Sequence, residues 1–369
     1  MRILLLAGEE SGVLYAERIR EEVLRTHPDA EIRGYGDYGF KVADLAVMGV
    51  GQVLRRIFYF LRVKRTMERA IDEWRPDAVC TVDYPGMNLK LAAYAKQRGV
   101  RTVHVVCPQV WAWKKGRIPK IEAALDRLCC FFPFEPELFR AGFAEFVGHP
   151  LVEEMARESR CEGRETGDGR RVLAVLPGSR MGEIEKHLPM LLKVVEMLQA
   201  EKPDLKVVIP AANERAYCAI TSCVSRLKSS SCAVVTHGGA REVLKGATAA
   251  VVASGTATLE AALAGCPTVL VYKVGWLFAF LARRFIKGVR HIGLANIIAE
   301  KAGRPCPMPE LLQENFTADT VVSCLRPLLT DAAENARVRQ VLADTMRLLE
   351  TDGGAIARIA RTTTGLFRP

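Results

Sequence analysis

The chain has 369 residues, 49% of them hydrophobic and 25% charged, and its 52 Lys and Arg outnumber its 42 Asp and Glu to give a formal net charge of +10. That length predicts about two domains, and the composition excludes a disordered or low-complexity chain. The excess of cations points to an anionic partner: a nucleotide-type ligand, an acidic membrane surface or nucleic acid.

Eleven cysteines without a CxxC or a paired Cys/His cluster are expected to be buried, reduced thiols rather than disulfides or metal ligands. The first apolar run, Ile3 to Ala7, is too short for a signal peptide and ends in a glycine turn. No stretch reaches about 18 uninterrupted apolar residues, so no transmembrane helix is predicted.

Short apolar runs alternate with helical periodicity along the whole chain. The first strand, 2–7, runs into "AGEESG", where Gly8, Glu9, Ser11 and Gly12 precede a helix over 13–26. Such a turn either holds an anion or sugar hydroxyl on free backbone N–H groups or is a plain strand-to-helix turn capped by Ser11. It lacks the spacing of a dinucleotide fingerprint. A strand at 31–35 is followed by a helix over 53–74 that opens "VLRRIFYFLRVKR". Val53, Leu54, Ile57, Phe58 and Leu61, interleaved with Arg62 and other cations, form either a membrane-contacting face or a core face with snorkelling arginines.

The strand 78–82 ends at Asp83, and Pro85 and Gly86 break the chain before a helix over 87–98 that Asn88 opens. A carboxylate at a strand's carboxyl end serves as a general base or caps the next turn. The strand 102–107 leads into "CPQVWAWKKGR", where Trp111 and Trp113 stand beside Lys114, Lys115 and Arg117, either as a binding surface or as buried loop packing. A strand at 128–131 follows. His149 in "FVGHPL" suits a turn or a catalytic role, and His104, inside an apolar strand, a structural one.

Residues 154–171 are charged, glycine-bearing and almost without apolar positions, which marks a domain boundary. Domains are therefore expected at 1–165 and 166–369. Strand 172–176 then turns through "PGSR" into a helix over 185–201. Gly178 permits close backbone approach, Ser179 offers a hydroxyl, and Arg180 is placed to clamp a phosphate, all at a helix N-terminus. Strands follow at 206–210, 233–236 and 249–253. The last runs through Ser254, Gly255 and Thr256 into a helix over 256–264, with a final strand at 268–272. Glu260, one turn into that helix, either accepts from a ribose diol or is an exposed helix carboxylate. Residues 318–369 show only helical patterning. Apolar strands separated by helices predict two doubly wound, Rossmann-like α/β domains with parallel sheets. No Asp-x-Asp occurs, which argues against a diphosphate held through a metal.

Eight of these stretches, "AGEESG", "VDYPGMNLKLA", "CPQVWAWKKGRIPKI", "FFPFEPELF", "FVGHPL", "LPGSR", "ASGTATLEAALAGCPTVLVYK" and "GLANIIAEKAGRPCPMPELLQENFT", occur in the order of the lipid-A-disaccharide synthase family, which the chain resembles from residue 7 to about 317. The resemblance implies a GT-B glycosyltransferase whose two domains face a cleft, working without cofactor or metal. It implies inverting transfer of 2,3-diacylglucosamine from UDP-2,3-diacylglucosamine to the 6-hydroxyl of 2,3-diacylglucosamine 1-phosphate. Gly178, Ser179, Arg180, Ser254, Gly255, Thr256, Glu260 and Asn296 would then hold the donor. Gly8, Glu9, Ser11, Gly12, Asn88, Trp111 and Trp113 would hold the acceptor, with Asp83 as base and Arg180 against the leaving diphosphate. Residues 53–65 would contact an anionic membrane surface on the cytoplasmic face of the inner membrane, and the C-terminal region hints at a homodimer.

Three positions depart from the family's pattern: Val13 and Gly86 where it commonly has acids, and Ala295 where it has proline. Competing readings keep the fold and change the role: a UDP-N-acetylglucosamine 2-epimerase, a transferase for another lipid-linked acceptor, or a non-catalytic lipid or nucleotide binder. A nucleic-acid binder is disfavoured because the cations form no single recognition helix.

Overall fold

A computed structural model describes residues 1–41, 57–112, 115–161, 171–225, 233–275 and 290–365. Val53, Leu54 and Trp113 lie outside the described residues. The described chain forms two compact units, Met1–Glu153 with Leu349–Pro369, and Glu154–Leu348.

The first unit is built on a parallel sheet of β1 (Arg2–Ala7), β2 (Glu31–Arg33), β3 (Ala78–Val82), β4 (Arg101–Val105), β5 (Arg127–Cys130) and β6 (Ala144–Phe146), in the order β2-β1-β3-β4-β5-β6. Its helices are α1 (Glu10–Thr26), α2 (Ile57–Trp74), α3 (Pro85–Gln97), α4 (Ile118–Ala124) and the start of α5 (Pro150–Cys161). β3 is buried at every position, as a strand covered on both faces must be. One face packs Ile3, Leu5, Val103 and Cys129 under α1; the other packs Leu4, Leu6 and Val79 under Met67 and Ile71 of α2.

The second unit repeats the architecture with β7 (Val172–Leu176), β8 (Lys206–Ala211), β9 (Ala233–His237), β10 (Ala249–Ala253), β11 (Thr268–Tyr272) and β12 (Glu310–Leu312), in the order β12-β11-β10-β7-β8-β9. This is the doubly wound order of dinucleotide-binding domains. Its helices are α6 (Met181–Glu201), α7 (Glu214–Val224), α8 (Ala240–Gly246), α9 (Thr256–Leu263), α10 (Leu294–Lys301), α11 (Ala318–Thr330) and α12 (Ala332–Met346). The last helix, α13 (Ala355–Gly365), belongs to the first unit.

That placement differs from the expected division into 1–165 and 166–369. Ile356, Ile359 and Ala360 of α13 bury against Ile3, Leu5 and Val103, so the apolar stripe of α13 covers the first sheet. The stretch before it is pinned by Thr351 Oγ1 donating to Val147 O (2.9 Å) and His149 N donating to Leu349 O (3.1 Å). The expected boundary also begins too early to be a linker, because Glu154–Cys161 continues α5.

In a doubly wound sheet, ligands bind beyond the carboxyl ends of strands where the chain order reverses. Those points are β1/β3 in the first unit and β7/β10 in the second. The first is followed by the Gly8 turn and Asp83, the second by Pro177–Arg180 and Ser254–Thr256.

Candidate active site

At the β7/β10 point, Gly178, Ser179, Arg180, Ser254, Gly255, Thr256 and Glu260 line one cavity of about 310 Å³. Two loops some 75 positions apart in the chain thus meet because their strands are neighbours, with Val175 opposite Val251. Each loop needs its glycine. Gly178 has φ +122, and a Cβ there would stand 2.7 Å from Glu183 Cβ. Gly255 has φ +152 and caps α9, a conformation open essentially to glycine. Thr258 Oγ1 donates back to Gly255 O (2.8 Å) and closes the first turn. The remaining first-turn N–H groups of α9 and α6 carry the positive end of the helix dipole.

Arg180 is the N-cap of α6 with its side chain 61% exposed, and its Nη1 lies 3.0 Å from Glu183 Oε1. Glu183 Oε2 accepts from the backbone N–H of Ser179 (3.2 Å) and Arg180 (3.4 Å). A carboxylate therefore sits where helix-start donors would hold a phosphate. Glu183 has the capping-box spacing, three residues after the cap, which is a signal the sequence offers and which the motif reading passed over. Buried His187 fixes the loop from behind. Its Nδ1 lies 2.9 Å from Pro177 O, and its Nε2 accepts from Lys273 N (3.0 Å). The neutral ring protonated on Nδ1 satisfies both.

Glu260 is neither exposed nor alone. Its Oε1 accepts from Arg241 Nε (2.9 Å), and Arg241 Nη1 also meets Glu158 (2.9 Å) and Glu154 (3.1 Å). Burial opposes the charge on Arg241, but these carboxylates outweigh it and raise its pKa. Arg241 carries no local signal, because its partners lie 19 and 83 positions away. Asn296 does not reach the cavity. It is buried, donating through Nδ2 to Met308 O (2.7 Å) and Glu310 (2.8 Å) and accepting from Met308 N (3.0 Å). Its amide ties α10 to the chain entering β12.

In the first unit, Asp83 opens on a second cavity of about 260 Å³, shared with Cys107, Gln109, Arg117, Phe132 and Glu135. Asp83 (φ 49), Tyr84 (φ 51) and Val106 (φ 75) are all left-handed without being glycine. For Val106, which is β-branched, this is a strained conformation. It ends β4 at Val105, short of the expected 107. Asp83 N donates to Val105 O (2.9 Å), and Tyr84 N donates to Asp83 Oδ1 (2.8 Å). Burial pushes the Asp83 carboxyl above its ordinary value, opposed by that Tyr84 N–H. Burial also pushes Glu135 up to about 8, against hydrogen bonds from Phe132 and Trp111. An acid among aromatics, "FFPFEPELF", was the available signal for Glu135.

Of the other residues expected at the acceptor, Gly8, Glu9, Gly12, Asn88 and Trp111 do not line this cavity. Buried Asn88 donates through Nδ2 to Leu6 O (3.2 Å), Val82 O (3.2 Å) and Asp83 O (2.8 Å) and accepts from Tyr35 Oη (2.8 Å). It stitches the ends of β1 and β3 rather than offering a free amide. Trp111 is buried, with Nε1 donating to Glu135 Oε1 (3.1 Å) and its ring edge-on to Phe134. Gly8 leaves room for Tyr84, whose ring would collide with an added Cβ. Gly12 lies close to the end of β3, where a Cβ would stand 3.5 Å from Val82 O. Glu9 is the exposed N-cap of α1, and the Ser11 side chain lies outside the described residues. His149 is structural: burial lowers it to about 4, and its Nδ1 accepts from Leu151 N (3.2 Å). His104, buried and lowered to about 3, pairs with Thr81 Oγ1 (2.7 Å).

On α2, Val63, Met67, Ala70 and Ile71 are buried while Phe58 is 82% exposed, Leu61 42% and Ile57 43%, with Arg62, Arg65 and Arg69 also exposed. No helix among the described residues is long and apolar enough to cross a membrane.

Over 99% of its length the chain is similar in fold to a putative UDP-N-acetylglucosamine 2-epimerase from Listeria monocytogenes, covering 96% of that chain at TM-score 0.65 and 11% identity. A UDP-GlcNAc 2-epimerase from Neisseria meningitidis, bound to UDP-GlcNAc, aligns at TM-score 0.63 and 11% identity over 99% of this chain and all of that one. At such identity the likeness is one of fold. Sequence relatives are nearer. A lipid-A-disaccharide synthase of Geobacter sulfurreducens is 34% identical over 97% of this chain and 95% of its own. Another, from Anaeromyxobacter dehalogenans, is 36% identical over 100% and 98%. The family model described as lipid-A-disaccharide synthetase matches residues 3–355, a span that takes in both cavities and both sheets. With two Rossmann-like units of the GT-B kind and loops of this composition at their switch points, the chain belongs to the lipid-A-disaccharide synthetase family of glycosyltransferases.

Proposed function

We propose that the chain transfers 2,3-diacylglucosamine from UDP to the 6-hydroxyl of 2,3-diacylglucosamine 1-phosphate, releasing UDP and a β-1,6-linked disaccharide 1-phosphate. The observation that carries the donor side is the meeting of the Pro177–Arg180 and Ser254–Thr256 loops around one cavity. The diphosphate is held by first-turn N–H groups of α6 and α9 and by Arg180, which exchanges Glu183 for phosphate oxygens. Glu260, oriented by Arg241, accepts from the ribose hydroxyls. The helix-start N–H groups, fixed by the fold, stabilise the charge that grows on the leaving UDP.

On the acceptor side, Asp83 is the base. The acceptor O6 attacks the anomeric carbon from the face opposite UDP. The new O6–C1 bond forms as the bond from C1 to the β-phosphate oxygen breaks, its electron pair leaves with UDP, and the O6 proton passes to Asp83. One displacement inverts the anomeric centre. A carboxyl raised by burial is a better proton acceptor than an ordinary aspartate, provided it remains ionised at the working pH.

The exposed apolar and cationic face of α2 supports a seat on an anionic bilayer, at the cytoplasmic face of the inner membrane, where the acyl chains of both substrates would reside. The test is UDP release from UDP-2,3-diacylglucosamine, with and without 2,3-diacylglucosamine 1-phosphate, in EDTA. Release that depends on the acceptor is expected. Release without it, or none from folded protein, overturns the reading.

A further inference from the structure

The carboxyl edge of the first sheet holds a set of side chains that the transfer reaction does not use. β4 and β5 are neighbours with Val105 opposite Cys129, so the chain leaves them with Cys107 and Cys130 close together. Val106, in its left-handed conformation, turns Cys107 toward the cavity, and the loop after β5 brings Glu135 over both. One Sγ from each cysteine and a carboxylate oxygen of Glu135 all lie within 4.8 Å of one another, and all three residues are buried.

We propose that Cys107, Cys130 and Glu135 form a binding site for one thiophilic divalent cation, Zn²⁺ or Cd²⁺, with a fourth position open to the cavity. Zinc bonds of about 2.3 Å to sulfur and about 2.0–2.2 Å to oxygen put tetrahedral ligand atoms about 3.5–3.8 Å apart, so closure needs only a small shift. Two thiolates select a soft ion over Mg²⁺. The carboxylate is already aimed, with Trp111 Nε1 donating to Oε1 and Phe132 N to Oε2 (both 3.1 Å), the outer support that metal-ligating groups require. Binding releases the two thiol protons, and the Glu135 carboxyl proton where it is held, to solvent. This departs from the expectation that the cysteines are buried, reduced thiols rather than metal ligands. Cys107 and Glu135 share their cavity with Asp83, so the ion obstructs the acceptor and acts as an inhibitor. The binding itself rests on this cluster alone and does not depend on the transferase reading.

The test starts from a chain in which every cysteine except buried Cys80, Cys107, Cys129, Cys130 and Cys266 is replaced by serine. Cd²⁺ is titrated and the thiolate-to-cadmium charge-transfer band followed in the ultraviolet. Saturation at one equivalent per chain is expected, with the band lost in Cys107→Ser and in Cys130→Ala. No band, or a band unchanged by Cys107→Ser, overturns the site. Glu135→Gln leaves every thiol in place and serves if a cysteine variant does not fold. Its Kd is expected to rise about tenfold or more, and an unchanged Kd overturns the proposal.

Discussion

Arg241 Nε lies 2.9 Å from Glu260 Oε1 while the same guanidinium contacts Glu158 and Glu154, so the carboxylate facing the donor cavity is held by a residue that does not line it. Arg241 is a positioning residue for Glu260. Arg241→Ala is expected to raise KM for the UDP-sugar about tenfold, about 1.4 kcal/mol, with a smaller change in kcat. Arg241→Lys should recover only part of the loss, because a point charge does not reproduce the guanidinium fork. Steady-state kinetics with varied donor decides it; equal effects on KM and kcat would assign Arg241 to the reaction itself.

Arg180→Ala is expected to lower kcat by about 10²–10³-fold, as loss of one group stabilising transition-state charge does. The side chain is largely exposed, so unfolding free energy should move by no more than about 0.5 kcal/mol. Kinetics with urea unfolding separate the two quantities.

With Asp83 as the proposed base, one carboxyl would link activity to stability. Its folded pKa is raised by burial, so the folded state is favoured with Asp83 protonated. That stability is fully present below the unfolded carboxyl's pKa and is lost as pH rises through the folded value. Asp83→Asn keeps an acceptor for Tyr84 N–H and cannot ionise. It is expected to abolish turnover while stabilising the fold near neutral pH, with the gain vanishing below about pH 4. For the wild type, the acid limb of kcat/KM should lie above the ordinary aspartate range. A variant no more stable than wild type at pH 7 would contradict the burial argument.

Gly86 stands where the resemblance implies an acid, and an added Cβ there meets nothing within 4 Å. It lies in the first turn of α3, where an acidic side chain favours the helix dipole. Gly86→Asp is expected to fold normally and to gain about 0.5–1 kcal/mol from helix propensity and the dipole. A rise in kcat would show that an acid at this position serves the reaction. Unchanged kcat would leave Asp83 sufficient.

Phe58→Glu with Leu61→Glu is expected to reduce co-sedimentation with anionic vesicles at unchanged thermal stability, since both side chains are substantially exposed. Added salt should weaken what remains, through Arg62, Arg65 and Arg69.

What the sequence disclosed follows from how far each signal reaches. The strands β1, β3, β7, β10 and β11 are continuous apolar runs ended by turn residues, and their bounds match the expected ones within a residue. β6 and β12 are three-residue edge strands, too short to show any period. The glycine-bearing loops were legible because their backbone demands particular residues. Asn88, Asn296 and Trp111 misled for the opposite reason. Polar groups in motif-like segments suggest ligands, but each is buried and its hydrogen bonds are spent within the protein. Arg241 and Glu135 act through partners remote in sequence and through burial, neither of which a linear pattern records.

The packing of Ile356 and Ile359 against Ile3 and Leu5 sets an order of folding during synthesis. Domains usually fold as units in the order in which they are made. Here the strands translated first lack part of their cover until the final helix leaves the ribosome, so the contiguous Glu154–Leu348 unit is the first able to finish. Until then, on one face of the N-terminal sheet, the part that α1 does not cover is an apolar surface open to any chaperone or neighbouring chain. A nascent protein stopped before residue 355 should therefore be more vulnerable to proteolysis at its beginning than in its middle.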